Sequence, residues 1–162
     1  MAPQDPAPLP GFVRPPADQP VHELTPGRPL IIAAAGPQTG GAFGVLTEAV
    51  PPGEGPPLHI HHAADELFYV LSGAFTFQIG DLRASGGAGT VAFAPRGTAH
   101  TWQNAGAAPA RMLFVLAPAG FERFLVEVSA LPADSLTLET VNALAASYQT
   151  TYVGPPLAAL PE

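Results

Sequence analysis

A small all-β barrel closed by C-terminal α-helices is the fold that the sequence predicts, and three observations carry it. The 162 residues contain 21 prolines and 17 glycines, which cut the chain into the short runs of an antiparallel protein with many tight turns. Ala74 to Ile79 sets Phe75, Phe77 and Ile79 against Thr76 and Gln78, the alternation of a half-buried strand. Near the end the period changes. Phe121, Phe124, Leu125 and Val128, and then Leu138, Val141, Leu144 and Tyr148, recur at helical spacing. With 47% apolar and 12% charged residues, the chain is long enough for one domain with a real core.

The elements follow in order. Residues 1–20 are rich in proline and nearly free of bulky apolar groups, so this segment reads as a flexible arm. Residues 21–118 form the barrel, with strands expected at Leu30 to Ala34, Phe43 to Val50, Leu58 to His61, Glu66 to Leu71, Ala74 to Ile79, Thr90 to Ala94, Ala99 to Asn104 and Arg111 to Ala117. Pro51-Pro52-Gly53, Ser72-Gly73 and Gly80-Asp81 supply turns between them. Residues 119–162 are a helical extension and tail. Asp134, Ser135 or Thr137 is placed to cap the second helix.

Composition narrows the partners. The net charge is −7, and all six basic residues are arginine, so nothing here suits a nucleic acid or an anionic membrane. The start of the chain has neither the basic nor the apolar run of a signal peptide, and no stretch reaches the length of a membrane-spanning helix. A soluble, cytoplasmic protein is expected. The Ala/Pro/Gly excess without lysine suggests a GC-rich bacterial source. There is no cysteine, which excludes disulfides and thiolate chemistry.

Chemistry concentrates in two blocks that hold four of the five histidines. In an extended strand side chains alternate, so His59 and His61 point the same way with Ile60 opposite. Glu66 opens the next strand and can face back toward them, and His100 lies just past a Pro-x-Gly turn. In one small barrel these four side chains converge. Three imidazoles and a carboxylate suit a divalent transition metal with coordination positions left for water, oxygen or substrate. His62 and Asp65 fall on opposite or rim positions, and His22 stands apart as an exposed residue.

The spacing of the blocks resembles the two motifs of the cupin superfamily. Gly53, His59-x-His61, Glu66 and Gly73 fill the first, and Gly89, Pro95-x-Gly97, His100 and Asn104 fill the second. The resemblance implies a double-stranded β-helix, or jelly-roll, barrel. It also implies one divalent ion (Fe, Ni, Mn, Co, Cu or Zn) held by His59, His61, Glu66 and His100. Gly73, Gly89, Gly97 and Pro95 would shape turns, and Asn104 would bond backbone near the rim. The Gly120-Phe-Glu-Arg-Phe124 phrase and the closing Gly154-Pro-Pro-Leu157 are similar to the C-terminal region of single-domain bacterial cupins related to quercetin 2,3-dioxygenase. Such cupins commonly form homodimers.

Alternation also sketches the substrate walls: Phe68 and Val70 beside Glu66, Trp102 beside His100, then Phe75, Phe77, Phe93, Met112 and Phe114. No arginine falls on an inward position in this scheme. A mainly apolar cavity fits a planar aromatic or polyketide-like enol better than a sugar or a highly charged acid. The resemblance points to a dioxygenase in which Glu66 is both ligand and proton acceptor and dioxygen is co-substrate. A non-oxidative metal-assisted cyclase or isomerase uses the same ligands, and a non-catalytic binding cupin is the third reading.

Overall fold

The computed structural model describes residues 9–25 and 27–160. Eleven strands are described: β1 Val21–Glu23, β2 Pro29–Ala34, β3 Gly44–Val50, β4 Pro57–His61, β5 Asp65–Ser72, β6 Ala74–Ile79, β7 Leu82–Gly87, β8 Val91–Ala94, β9 His100–Asn104, β10 Ala110–Ala117 and β11 Thr150–Pro156. One helical turn, α1 Gly36–Thr39, links β2 to β3, and two helices, α2 Phe121–Ser129 and α3 Leu138–Ser147, follow β10. The strands form two antiparallel sheets, ordered β1-β2-β3-β10-β5-β8 and β11-β4-β9-β6-β7.

Neighbours in sequence are therefore split between sheets. β4 and β9 lie side by side in the second sheet with His59 opposite His100, whereas β5 belongs to the first sheet, where Glu66 pairs with Leu116 and Ala94. The inner faces of the two sheets bury one core, including Phe68, Val70, Phe75, Phe77, Trp102, Met112 and Phe114. Two glycines make the turns possible. A Cβ on Gly55 would fall 1.8 Å from the Trp102 carbonyl oxygen, and Gly73 combines φ +79° with a Cβ position 2.4 Å from Ala110 Cβ, so neither site tolerates a side chain without backbone movement.

The expected strands are all present, most shifted by a residue at an end, but three others do not show in the sequence pattern. β7 is exposed along nearly its whole length, so its pairing with β6 comes from the Gly80-Asp81 hairpin and not from an apolar face. β11 ends in two prolines and its register slips between Tyr152 and Pro156, as an edge strand allows. Its presence means that the C-terminal segment is not a tail: it returns to the barrel beside β4. β1 is only three residues long.

Of the N-terminal arm, residues 1–8 lie outside the described residues. Residues 9–20 contain a single 3-10 turn, Pro16–Asp18, and Arg14 Nη1 donates to Ala33 O at 3.4 Å. Helix α3 is capped by Thr137, whose Oγ1 accepts from Thr140 N. Glu122 of α2 is 1% exposed. Its Oε1 accepts from Gly36 N at 2.8 Å and its Oε2 from Gly120 N at 2.7 Å, which pins the start of α2 to the end of β2. Among the described residues no helix is long and apolar enough to cross a membrane.

Candidate metal centre and its cavities

His59, His61, Glu66 and His100 are all buried, and one donor atom from each lies within 4.8 Å of every other. Strand alternation explains the meeting. On β4 the histidines take the two inward positions, and on β5 and β9 Glu66 and His100 are the first inward residues.

The hydrogen bonds fix which imidazole nitrogen faces the centre. His59 Nδ1 bonds Pro57 O and His100 Nδ1 bonds Thr98 O, both at 2.8 Å. A carbonyl only accepts, so each Nδ1 carries the proton and each Nε2 presents a lone pair. His61 Nδ1 lies 2.8 Å from Thr150 Oγ1, which itself donates to Tyr148 O at 3.3 Å, so Thr150 accepts and the same tautomer follows. His61 Nε2 is buried without a hydrogen bond, although Glu66 Oε2 is 3.2 Å away. His100 Nε2 is 3.0 Å from the same oxygen. Lone pairs aimed at a carboxylate oxygen repel unless a cation lies between them, so the donor set fits a metal ion.

The electrostatics agree. Burial, then the neighbouring His100 and His61, push His59 down to about 3, which leaves it neutral and able to donate its lone pair. Burial opposes ionisation of Glu66, yet its contacts with His100 and His61 outweigh that and hold the carboxyl below its ordinary value. Burial likewise works against a charged His100, but the Glu66 carboxylate beside it favours the charged form and raises it. The pocket is thus arranged to hold positive charge beside a carboxylate.

A cavity of about 70 Å³ opens beside His59 and Glu66, walled mainly by Leu46, Trp102, Phe114, Phe121 and Tyr152. Arg28 and Glu48 also face it. They form an ion pair through Arg28 Nε and Glu48 Oε1, and the guanidinium carbon lies 5.7 Å from the Trp102 ring centroid. Burial raises the Glu48 carboxyl and Arg28 opposes the rise. A second, larger cavity of about 280 Å³ reaches His61 from outside, beneath the start of α2.

Residues 46–116 match the family model described as the cupin domain. The barrel has the cupin jelly-roll fold. No curated protein matches the sequence. Among solved structures, the chain aligns with KdgF from Halomonas sp. at 18% identity, covering 70% of this chain and 98% of that one, with a TM-score of 0.62. A predicted oxalate decarboxylase from Thermotoga maritima aligns at 21% identity over 66% of this chain and 99% of that one, TM-score 0.57. A sugar phosphate isomerase of the cupin superfamily from Silicibacter pomeroyi aligns at 28% identity over 58% of this chain and 61% of that one, TM-score 0.50.

The remaining expected site residues divide three ways. Trp102 and Phe114 line the inner cavity, and Phe68 packs behind it with its ring centroid 6.1 Å from that of His100. Val70, Phe75, Phe77 and Met112 are buried in the core but are not on the cavity wall. Register accounts for Phe75, which pairs with Asn104, farther along the barrel than His100, while Phe77 is level with Trp102 and packs on Phe68 with ring centroids 5.6 Å apart. Phe93 is a correction. It is 52% exposed, because Ala94, opposite Glu66, takes the inward position of β8.

Three more details differ from the sequence scheme. Arg28 does face inward, because it sits in the β1–β2 turn, where Arg28 N bonds Thr25 O and alternation says nothing about direction. Asp65 is not a free rim carboxylate but is paired with Arg96. His22 is half-buried. Asn104, in contrast, bonds backbone as expected, its Nδ2 donating to Val50 O and Ala108 O at 2.9 Å, and His62 is exposed, on Thr151 Oγ1. Besides Arg28, the wall residues missed were Leu24, Leu46, Glu48, Pro56, Phe121, Leu125 and Tyr152. Parity on β3 (Leu46, Glu48) and helical spacing (Phe121, Leu125) were signals that could have found four of them.

Proposed function

We propose that this cupin is a metal-dependent dioxygenase acting on a flavonol-like or other aromatic enol. The observation that carries the reading is the set of four buried donors at the edge of a cavity whose walls are mainly aromatic and aliphatic. His59, His61, Glu66 and His100 hold the ion. When bound, it supplies Lewis acidity toward a substrate oxygen and a partner for dioxygen chemistry.

The chain's own contribution is positioning and proton transfer. His59 and Glu66 are the two ligand residues on the inner cavity wall, so the substrate hydroxyl meets the site at their edge. Its proton passes to Glu66 Oε1, since Oε2 is engaged by His61 and His100. Transfer to a carboxylate with a lowered pKa requires the enol to be acidified at the same time. Trp102, Phe114 and Tyr152 exclude water from the resulting anion. Two copies of the chain pair over the exposed Leu82, Val91 and Phe93 patch, which is apolar in the manner of a subunit contact.

The test is dioxygen uptake by the purified protein loaded in turn with Fe, Mn, Ni, Co and Cu, with quercetin as substrate. Uptake with one metal, abolished by His61→Ala, supports the reading. No uptake with any metal despite stoichiometric loading overturns it.

A second reading, metal-assisted isomerisation without dioxygen, draws on two observations. The Arg28–Glu48 pair gives the cavity a polar end suited to an oxygen-rich substrate, and one similar structure, at 28% identity, is a sugar phosphate isomerase. Anaerobic conversion of an enolisable hydroxy-carbonyl compound distinguishes it from the first.

A further inference from the structure

The inner cavity, at about 70 Å³, is far below the roughly 300–1,000 Å³ of pockets that enclose drug-sized ligands. A planar aromatic substrate cannot lie in it whole. The outer cavity, at about 280 Å³, approaches that range, and it touches the same metal centre from the side of His61. One residue, Phe121, lines both. Its ring stands edge-on to the His61 ring with centroids 4.2 Å apart and stacks on Phe124 at 5.0 Å. The Glu122 carboxylate holds the start of α2, and with it Phe121, against β2.

We propose that the outer cavity between the β4–β5 turn, the Pro118–Phe121 segment and the end of α3 holds the body of a planar phenolic substrate. Phe121, shared by both cavity walls, is then the side chain that must turn aside for the reacting edge to reach Glu66. The inference rests on the reading of the substrate as an aromatic enol and deepens it by dividing the ligand between two compartments. The lining suits the assignment. Phe121, Ala63, Ala64 and Pro118 offer apolar surface, and Arg123 is the only charged residue on the wall, an exposed cation for the distal hydroxyls or their anions. Phe121 therefore determines specificity: its ring closes on His61 at 4.2 Å, so it must turn aside to admit a flat ring edge, and a bulky substituent is refused.

The experiment is calorimetric binding of two probes, phenol and quercetin, to the full chain loaded with Zn under nitrogen, so that no turnover is needed. Ser147 is exposed at the end of α3 and on the wall of the outer cavity, and Ser147→Trp fills that cavity from its rim. We expect Ser147→Trp to weaken quercetin at least about tenfold, a loss of about 1.4 kcal/mol, while phenol, too small to need the rim of the outer cavity, binds as before. Arg123→Ala weakens quercetin by a smaller factor and spares phenol. Equal quercetin affinity in wild type and both variants overturns the proposal, as does absence of quercetin binding to the wild type. Melting curves check that both variants are folded. Quercetin binding with this pattern but no dioxygen uptake defeats the oxidation reading and leaves the compartment standing.

Discussion

Arg96 grips Asp65 with three hydrogen bonds: Nε to Oδ1 at 3.0 Å, Nη2 to Oδ2 at 2.8 Å, and its backbone N to Oδ1 at 2.9 Å. Asp65 immediately precedes Glu66, and Arg96 stands in the turn that leads to His100. The pair therefore ties the carboxylate strand of one sheet to the histidine strand of the other. A bidentate fork sets distance and orientation together, which is what a ligand set drawn from two sheets needs.

That clasp predicts an acid-limb signature. The side-chain bonds from Arg96, and then its backbone N–H, lower the Asp65 carboxyl from 3.8 to about 2. A depressed carboxyl adds stability that is complete above its unfolded value and lost as pH falls through the folded one. Asp65→Asn should therefore melt below wild type at neutral pH, and the two melting curves should converge between about pH 4 and pH 2. The gap should be small and should shrink in high salt, because the pair is partly exposed. Melting temperatures that stay equally far apart at pH 2 would contradict the assignment.

The bond between His61 Nδ1 and Thr150 Oγ1 predicts a metal effect from a residue that touches no metal. Thr150→Val keeps the shape and removes the acceptor, so His61 loses its fixed tautomer. Metal affinity, measured by competition with a chromophoric chelator, should fall about 10–100-fold. His61→Ala should cost more, since a donor atom is gone. A Thr150→Val protein that binds metal as wild type does would show that the tautomer is set elsewhere.

Glu48 is 4% exposed, so removal of its partner leaves a buried charge. Arg28→Ala should destabilise the protein by about 3–5 kcal/mol at neutral pH. Without Arg28 the burial effect on Glu48 is unopposed and its folded pKa rises further above the unfolded value. The deficit should then be largest at alkaline pH and should shrink on acidification toward the ordinary carboxyl range. Chemical denaturation at several pH values measures it, and Arg28→Met combined with Glu48→Leu should recover much of the loss. A deficit that does not vary with pH would mean that Arg28 acts through packing on Trp102 and not through charge.

The meeting of the four candidate donors was legible in the sequence because it obeys short-range rules. His-x-His on one strand shares a face whatever the rest of the chain does. The cavity was less legible because its residues meet through long-range register. Phe93 looks like wall by size, but the face opposite Glu66 must be small, and Ala94 occupies it. Tyr152 reaches the site only because β11 pairs with β4, setting Tyr152 opposite His59, and no local pattern in a strand ending in Gly-Pro-Pro announces that pairing. Arg28 was hidden for another reason, since a turn residue has no parity. Depth along the barrel was also out of reach: Phe75 and Phe77 have the inward parity expected of them but pack in the core away from the cavity wall.

Glu66 carries the strongest functional prediction, because it is asked to do two things that a single substitution separates. As a ligand it contributes charge and one oxygen, while the three imidazoles contribute the other donors. As a base it must accept a proton, which an amide cannot do. Glu66→Gln preserves the size of the side chain, so the histidines keep their places and their Nδ1 partners at Pro57, Thr150 and Thr98. Metal affinity should weaken, since the neutral amide no longer offsets the charge of the ion. Turnover per bound metal should fall by about 10²–10⁴, the usual contribution of a positioned general base. The comparison is made at saturating metal, with metal content measured on the same samples. Loss of metal with unchanged turnover per bound ion would reduce Glu66 to a ligand only. Full turnover at full occupancy would remove it from the chemistry, and the proton would have to leave by way of Glu48, the other carboxylate on the cavity wall.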